Sequence, residues 1–285
     1  MNYALELKNV TKSYKDFTLD NINLCVPQGC IMGFVGENGA GKTTTLKAIL
    51  NLLHLDSGDI KIFGKDYKAY EQELKQDIGV AFDNCNFHDN LRLNDISRIF
   101  APIYVNWDNE VFKGFCTRFK LPLDKTFKEF SRGMKMKANL AVALSHHAKL
   151  LLLDEPTGGL DPVMRDEILD VFLDFIQDET HSILFSSHIT GDLEKVADYI
   201  SFIHDGKLIL TKSKDDLLYQ YGILKCSTTQ YAQIDKSHVL GMRKSAFGCE
   251  VLVDNKPELL LSGKFTFDNT TIDDIILLYN KGVQQ

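Results

Sequence analysis

Residues Gly36-Glu37-Asn38-Gly39-Ala40-Gly41-Lys42-Thr43-Thr44 fit the pattern G-x-x-x-x-G-K-[ST] in full. A loop of this kind binds a nucleoside triphosphate. Its glycines let backbone N–H groups approach phosphate oxygens where a Cβ would collide, and the helix that follows adds its positive N-terminal end. Lys42 is placed to reach the β- and γ-phosphates, and the Thr43 hydroxyl to ligate Mg²⁺. The flanks are those the motif needs: a strand-like run from Cys30 to Val35 before it and a helix-like run from Thr44 to Leu50 after it.

A second group of chemistry-bearing residues lies at the ends of two short apolar runs. Leu150 to Leu153 ends in Asp154-Glu155. Asp154 suits a water-mediated hold on Mg²⁺, and Glu155 suits the orientation and polarisation of an attacking water, which makes it the candidate general base. Ile183-Leu184-Phe185 ends in Ser186-Ser187-His188, from which His188 can meet a γ-phosphate.

The elements that must position these residues follow from pattern. Runs so short and apolar are central strands of a parallel sheet buried on both faces. Between them Asp161-Pro162 reads as an N-cap followed by proline at the first helical position, opening a helix with Met164, Ile168, Val171 or Phe172, and Phe175 inward. The β-α-β order predicts an α/β fold with ligands at the carboxyl ends of the strands.

Leu5 to Leu7, Phe17 to Leu19 and Ile22 to Val26 predict an antiparallel β subdomain. From about 84 to 147 the pattern is helical, with Ile96, Ile99, Phe100 and Ile103, then Val111, Phe112, Phe115 and Phe119, at helical spacing. Asp205-Gly206 between two β-like runs predicts a hairpin turn. Composition shifts after about residue 211. The stretch 212–285 predicts a small α+β appendage, with helices at 214–221 and 271–280 and short β-like runs near 223–228 and 249–253.

With 285 residues, 44% of them hydrophobic, the chain can bury a large core. A net charge of −7 argues against sequence-independent nucleic-acid binding. No apolar stretch approaches the ~18 to 20 residues that span a bilayer, and Met1 to Glu6 lacks a signal-peptide layout, so the expectation is a cytosolic chain. Six cysteines (Cys25, Cys30, Cys85, Cys116, Cys226, Cys249) contain no C-x-x-C pair and read as free thiols. His146-His147 reads as ordinary structure, Lys135 and Lys137 as a solvated helix face, and Asp215-Asp216 as charges at a helix N-terminus.

Taken together, residues 3–211 resemble the ATP-binding subunits of ABC transporters. In that resemblance 36–44 correspond to the Walker A loop, 150–155 to Walker B with its catalytic glutamate, Gly158-Gly159-Leu160-Asp161 to the D-loop and His188 to the switch histidine. Tyr14 falls where the family stacks an aromatic ring on adenine. Asn106-Trp107-Asp108, Phe130 to Lys137 and Thr271 to Ile275 look like the ABC-2 type branch, which energises export through a separate transmembrane permease subunit. The resemblance implies a P-loop ABC ATPase fold for 1–211 and an accessory unit at 212–285. It also implies ATP as substrate, Mg²⁺ as cofactor, and a place on the inner face of the cell membrane through the permease. Family members close as a pair with a second ATP-binding subunit, identical or not, so that Ser131 and Gly133 of one meet the nucleotide held by the other. The resemblance further implies that the surface at about 84–120 grips a short helix of the permease, although its apolar residues (Phe87, Leu91, Phe100, Tyr104, Trp107) read equally well as core.

Two departures from the family stand out. The usual signature Leu-Ser-Gly-Gly-Gln is here Phe130-Ser131-Arg132-Gly133-Met134, and the glutamine that meets Mg²⁺ and water after the strand Ile78 to Phe82 is here Asp83. A carboxylate at 83 still suits Mg²⁺, yet it adds negative charge beside the triphosphate. The alternative readings are a slowly hydrolysing, degenerate partner in a heterodimer, and a soluble ABC-type ATPase outside transport.

Overall fold

A computed structural model gives the fold and describes residues 2–83, 87–245, 248–263, 265–268 and 270–283. Cys85 lies outside the described residues. The chain opens with β1 (Tyr3–Ser13), β2 (Thr18–Pro27), β3 (Ile31–Val35) and α1 (Lys42–Ile49). Next come β4 (Ser57–Ile62), β5 (Lys65–Asp66), α2 (Glu71–Gln76) and β6 (Ile78–Ala81), leading to α3 (Leu93–Phe100), α4 (Asn109–Arg118) and α5 (Arg132–Leu144). The alternation resumes with β7 (Leu150–Asp154), α6 (Pro162–Phe175), β8 (Ser182–Ser187), α7 (Thr190–Val196), β9 (Tyr199–His204) and β10 (Lys207–Ser213). Beyond it lie α8 (Lys214–Gln220), β11 (Gly222–Cys226), α9 (Thr228–Tyr231), β12 (Val239–Ser245), β13 (Gly248–Val253), α10 (Lys256–Leu261) and α11 (Ile272–Val283).

The central sheet has the order β10-β9-β3-β8-β7-β6 and is parallel except for the β9–β10 hairpin. Every residue of β3, β7 and β8 is buried, as their continuous apolar character requires when helices cover both faces. Register sets Val35 beside Ser187, Asp154 beside Ser186, and Leu153 beside Ala81. The phosphate loop, His188, Asp154-Glu155 and Asp83 therefore leave the same edge of one sheet from four neighbouring strands. In the hairpin, Asp205 (φ 44°) and Gly206 (φ 73°) both adopt the left-handed conformation that a two-residue turn of this twist demands.

The antiparallel sheet has the order β2-β1-β4-β5. Its inward residues Leu5, Leu7, Leu19, Ile22 and Leu24 share a core with Met32, Phe34, Leu46 and Ile49 and so hold β3 and α1 from the side. Sequence pattern locates β1 and β2 but not β4, which joins this sheet from beyond α1.

The helical segment corrects two expectations. The stripe Ile96, Ile99, Phe100, Ile103 is not carried by one helix: α3 stops at Phe100, so Ile103 lies beyond it, and of the four only Ile96 is fully buried while Ile99 and Ile103 are exposed. Pro102, which lacks an N–H and crowds the preceding turn, prevents continuation. Lys137 is not solvated either, for it is 5% exposed and its ammonium binds the Glu167 carboxylate. Phe87, Leu91, Phe100 and Trp107 are half-buried and pack on the main core. His146 is buried, stacked on Tyr104 at 3.8 Å, with its ring nitrogens on the Ile78 and Val142 carbonyls.

Past residue 211, β11, β13 and β12 form an antiparallel sheet with a small core of its own around Leu224, Val251 and Val253. Strand β12 is not foreseen, because Gly241, Arg243 and Lys244 break its apolar pattern. Helix α11 packs so closely on β12 that a Cβ at Gly241 would stand 1.9 Å from the Leu278 carbonyl oxygen. Its Ile272, Ile275 and Leu278 belong to the same apolar cluster as α6 and β8.

Candidate functional site

The glycine that ends the phosphate loop, Gly41, has φ 114° and caps α1, a conformation closed to other residues without strain. From there α1 begins with Lys42, Thr43 and Thr44 facing a cavity of about 710 Å³. Lys42 is 6% exposed, and its ammonium meets the carbonyl oxygens of Gly36 (2.7 Å) and Glu37 (3.2 Å) and the Glu155 Oε1 (3.2 Å). A buried ammonium needs all three of its donors matched, and here the chain's own oxygens do so.

The catalytic-type carboxylates stand opposite. The Thr43 hydroxyl donates to Asp154 Oδ2 at 2.7 Å, and the Ser186 hydroxyl to Asp154 Oδ1 at 2.6 Å. Glu155, with φ 50° at the strand end, takes its second oxygen to His188 Nδ1 at 2.6 Å and to the His188 backbone N–H at 3.3 Å. Its Oε1 is buried and has no donor besides the Lys42 ammonium. A left-handed non-glycine residue at such a point is backbone strain held by the surrounding fold.

Glu37, Asn38, Gly39, Gly41, Lys42, Thr43, Thr44, Asp83, Asp154 and Glu155 all line the cavity. Gly36 and Ala40 are buried in the loop's base, and half-exposed His188 joins through Glu155. Three expected residues stand elsewhere. Tyr14 is 49% exposed and away from the cavity wall, which Phe17, its ring 6.5 Å from that of Tyr14, forms instead. Ser131 accepts from the Met134 N–H and caps α5, while Gly133 lies against Met164 and Leu160. Asp83 lines the cavity, but its Oδ1 is held by Arg132.

Sequence reasoning missed Ser186, the polar residue in an apolar strand that anchors Asp154, and Phe17, whose signal was a second aromatic three residues past Tyr14. It also missed Asn280, which donates to Glu37. No signal linked that residue to the loop.

The site suits Mg²⁺. Thr43 Oγ1 and Asp154 Oδ2 are hard oxygen donors 2.7 Å apart on a cavity with room for waters and phosphate oxygens, the surroundings this ion prefers. Thr43 and Asp154 would hold the ion, which would supply positive charge against the negative charge developing as the terminal phosphoryl group transfers.

Comparison with known proteins agrees with this geometry. Residues 19–158 match the family described as ABC transporter. The bacitracin transport ATP-binding protein BcrA of Enterococcus faecalis is 34% identical over 212 residues, 73% of this chain and 69% of that one. The lantibiotic transport ATP-binding protein SrtF of Streptococcus pyogenes is 34% identical over 217 residues, covering 74% of this chain and 91% of the relative. The solved structure of an ATP-binding subunit of an ABC transporter superposes with a TM-score of 0.69 at 25% identity, covering 76% of this chain and 92% of the other. A phosphate loop on Lys42, a carboxylate pair and a histidine on one sheet edge, and relatives aligned over most of both chains lead to one conclusion: the chain belongs to the ATP-binding subunits of ABC transporters.

Proposed function

We propose that this ATPase drives export through a separate permease and that its turnover uses the residues on the sheet edge. The observation that carries the reading is the linked set Lys42–Glu155–His188 and Thr43–Asp154–Ser186 at one cavity. Backbone N–H groups of 36–44 and the α1 N-terminus bind the phosphates, and Lys42 turns from Glu155 to the β- and γ-oxygens. Glu155, released, accepts a proton from the attacking water as the water oxygen bonds to the γ-phosphorus. The bond to the bridging oxygen breaks and ADP carries that electron pair away. His188 holds Glu155 in place and faces the γ-phosphate. Thr43 and Asp154 hold Mg²⁺, and Asp83 borders the same space.

Ser131 and Gly133 stand outside their own cavity and serve the nucleotide of a second ATP-binding subunit in a head-to-tail pair. A groove of about 490 Å³ between Leu52, Gln76, Val80, Phe82, Ile103 and Tyr104 receives a cytoplasmic helix of the permease, which sets the chain on the inner face of the membrane. Among the described residues no helix is long and apolar enough to cross a membrane. Residues 1–211 form the ATPase unit, with 84–147 as its helical segment, and 212–285 the accessory unit. BcrA is named for bacitracin transport and SrtF for lantibiotic transport, which supports a transport role for this chain.

Steady-state hydrolysis with Mg²⁺, beside Glu155→Gln and Lys42→Ala, tests this reading. Activity lost in both variants, with an ATP-bound dimer of Glu155→Gln on size exclusion, supports it. Binding without turnover above the Glu155→Gln level overturns autonomous hydrolysis in favour of a degenerate partner.

A further inference from the structure

Four carboxylates, Glu37, Asp83, Asp154 and Glu155, line the cavity that receives a polyanionic triphosphate, and Glu37 accepts from the Asn280 amide. Asp154 accepts from two hydroxyls and Glu155 pairs with Lys42. Asp83 is the further negative group, and it raises the repulsion unless a cation answers it. Arg132 answers it: its Nη2 binds Asp83 Oδ1 and joins the loop after β6 to the start of α5.

The same guanidinium reaches a third loop. A Cβ at Gly159 would stand 2.4 Å from Arg132 Nη1, and one at Gly158 3.7 Å from Nη2. Gly159 has φ 69°, so the loop after β7 turns through a bare backbone just where the planar group lies. An arginine can present its donors to a carboxylate while its plane rests on backbone, whereas a lysine ammonium supplies only the point charge.

We propose that Arg132 is a positioning residue for nucleotide binding. It neutralises Asp83 and draws its carboxylate toward α5 and Gly159, so that the triphosphate meets one fewer uncompensated carboxylate in the cavity. Arg132 and Asp83 are thus a matched pair, and neither departure from the family pattern is understood alone. The inference rests on ATP binding at 36–44 and adds a charge requirement to that reading.

The test is equilibrium binding of ATP in EDTA, by calorimetry, to the full chain and to Arg132→Ala, Asp83→Asn, the double variant and Arg132→Lys, followed by KM and kcat with Mg²⁺. Thermal melts of each confirm folding. Arg132→Ala is expected to bind about fivefold more weakly, in line with a half-exposed ion pair, and to raise KM more than it lowers kcat. Adding Asp83→Asn restores most of the loss, Arg132→Lys loses less than Arg132→Ala, and high salt shrinks the deficit. A double variant as weak as Arg132→Ala overturns the proposal, as does an Arg132→Ala that binds like the unaltered chain. Failure of the unaltered chain to bind ATP is a different result, which sinks the nucleotide reading itself.

Discussion

The side-chain amide of Asn280 donates to the Glu37 carboxylate at 2.9 Å, joining the C-terminal helix α11 to the phosphate-binding loop. Asn280 is 7% exposed and its Oδ1 has no partner, a costly placement for an amide. At its other end α11 is tied to α7, the helix after His188, by the Ile272 N–H on Glu194 at 2.7 Å. One helix therefore touches both the loop that takes the phosphates and the helix that follows the histidine. Asn280→Ala is expected to weaken ATP binding about two- to fivefold, the effect of one hydrogen bond to a partly exposed charge. Calorimetric titration checks this, and an unchanged affinity would leave α11 a purely structural strut.

Gly241→Ala tests the docking of that helix. With the Leu278 carbonyl oxygen 1.9 Å from the new methyl, backbone must move on one side. The expected cost is about 1–3 kcal/mol, as for other overpacked sites, read as a lowered midpoint in urea. Proteolysis should then cut first within 222–283.

Lys42 and Glu155 compete with the substrate for each other. Replacing Glu155 with Gln removes the charge that holds Lys42, so Glu155→Gln is expected to bind ATP several-fold more tightly without Mg²⁺, while hydrolysis falls by at least ~100-fold. Calorimetry and phosphate release measure the two effects separately. Weaker binding would show that the ion pair plays no part in loading.

How far the site was legible depends on distance along the chain. The phosphate loop and the two carboxylates were readable because local pattern sets them: an apolar strand, then the functional residues at its end. Asp83 with Arg132, Glu37 with Asn280 and the burial of Lys137 on Glu167 are tertiary pairings between charges or amides, and no periodicity announces them. Strand β4 escaped because Ser57, Gly58 and Asp59 occupy half of it and only Ile60 and Ile62 are buried. Tyr14 was placed by family likeness, and the ring on the cavity wall is that of Phe17.

His146 links stability to pH. Burial pushes its pKa below the usual 6.5, with the Ile78 and Val142 carbonyls offsetting only part of the effect. The unfolded chain then binds the proton more readily than the folded one, so stability is full above about 6.5 and falls as pH drops from there toward the lowered folded value. The thermal midpoint is expected to decline between pH 7 and 5, and His146→Gln to decline less steeply over that interval. Parallel slopes would remove His146 from the acid sensitivity.

The order of the central strands lays the chemistry out along a line. Neighbouring strands are spaced about 4.8 Å apart, so phosphate loop, histidine, base and Asp83 follow one another across the edge from β3 to β6. Strand β6 is one of the two outermost strands, β10 being the other, and it presses on α5 so tightly that a Cβ at Gly79 would stand 2.4 Å from the Ala143 carbonyl oxygen. A change at the terminal phosphate thus has a short lateral route to the sheet's border, where the helical segment begins.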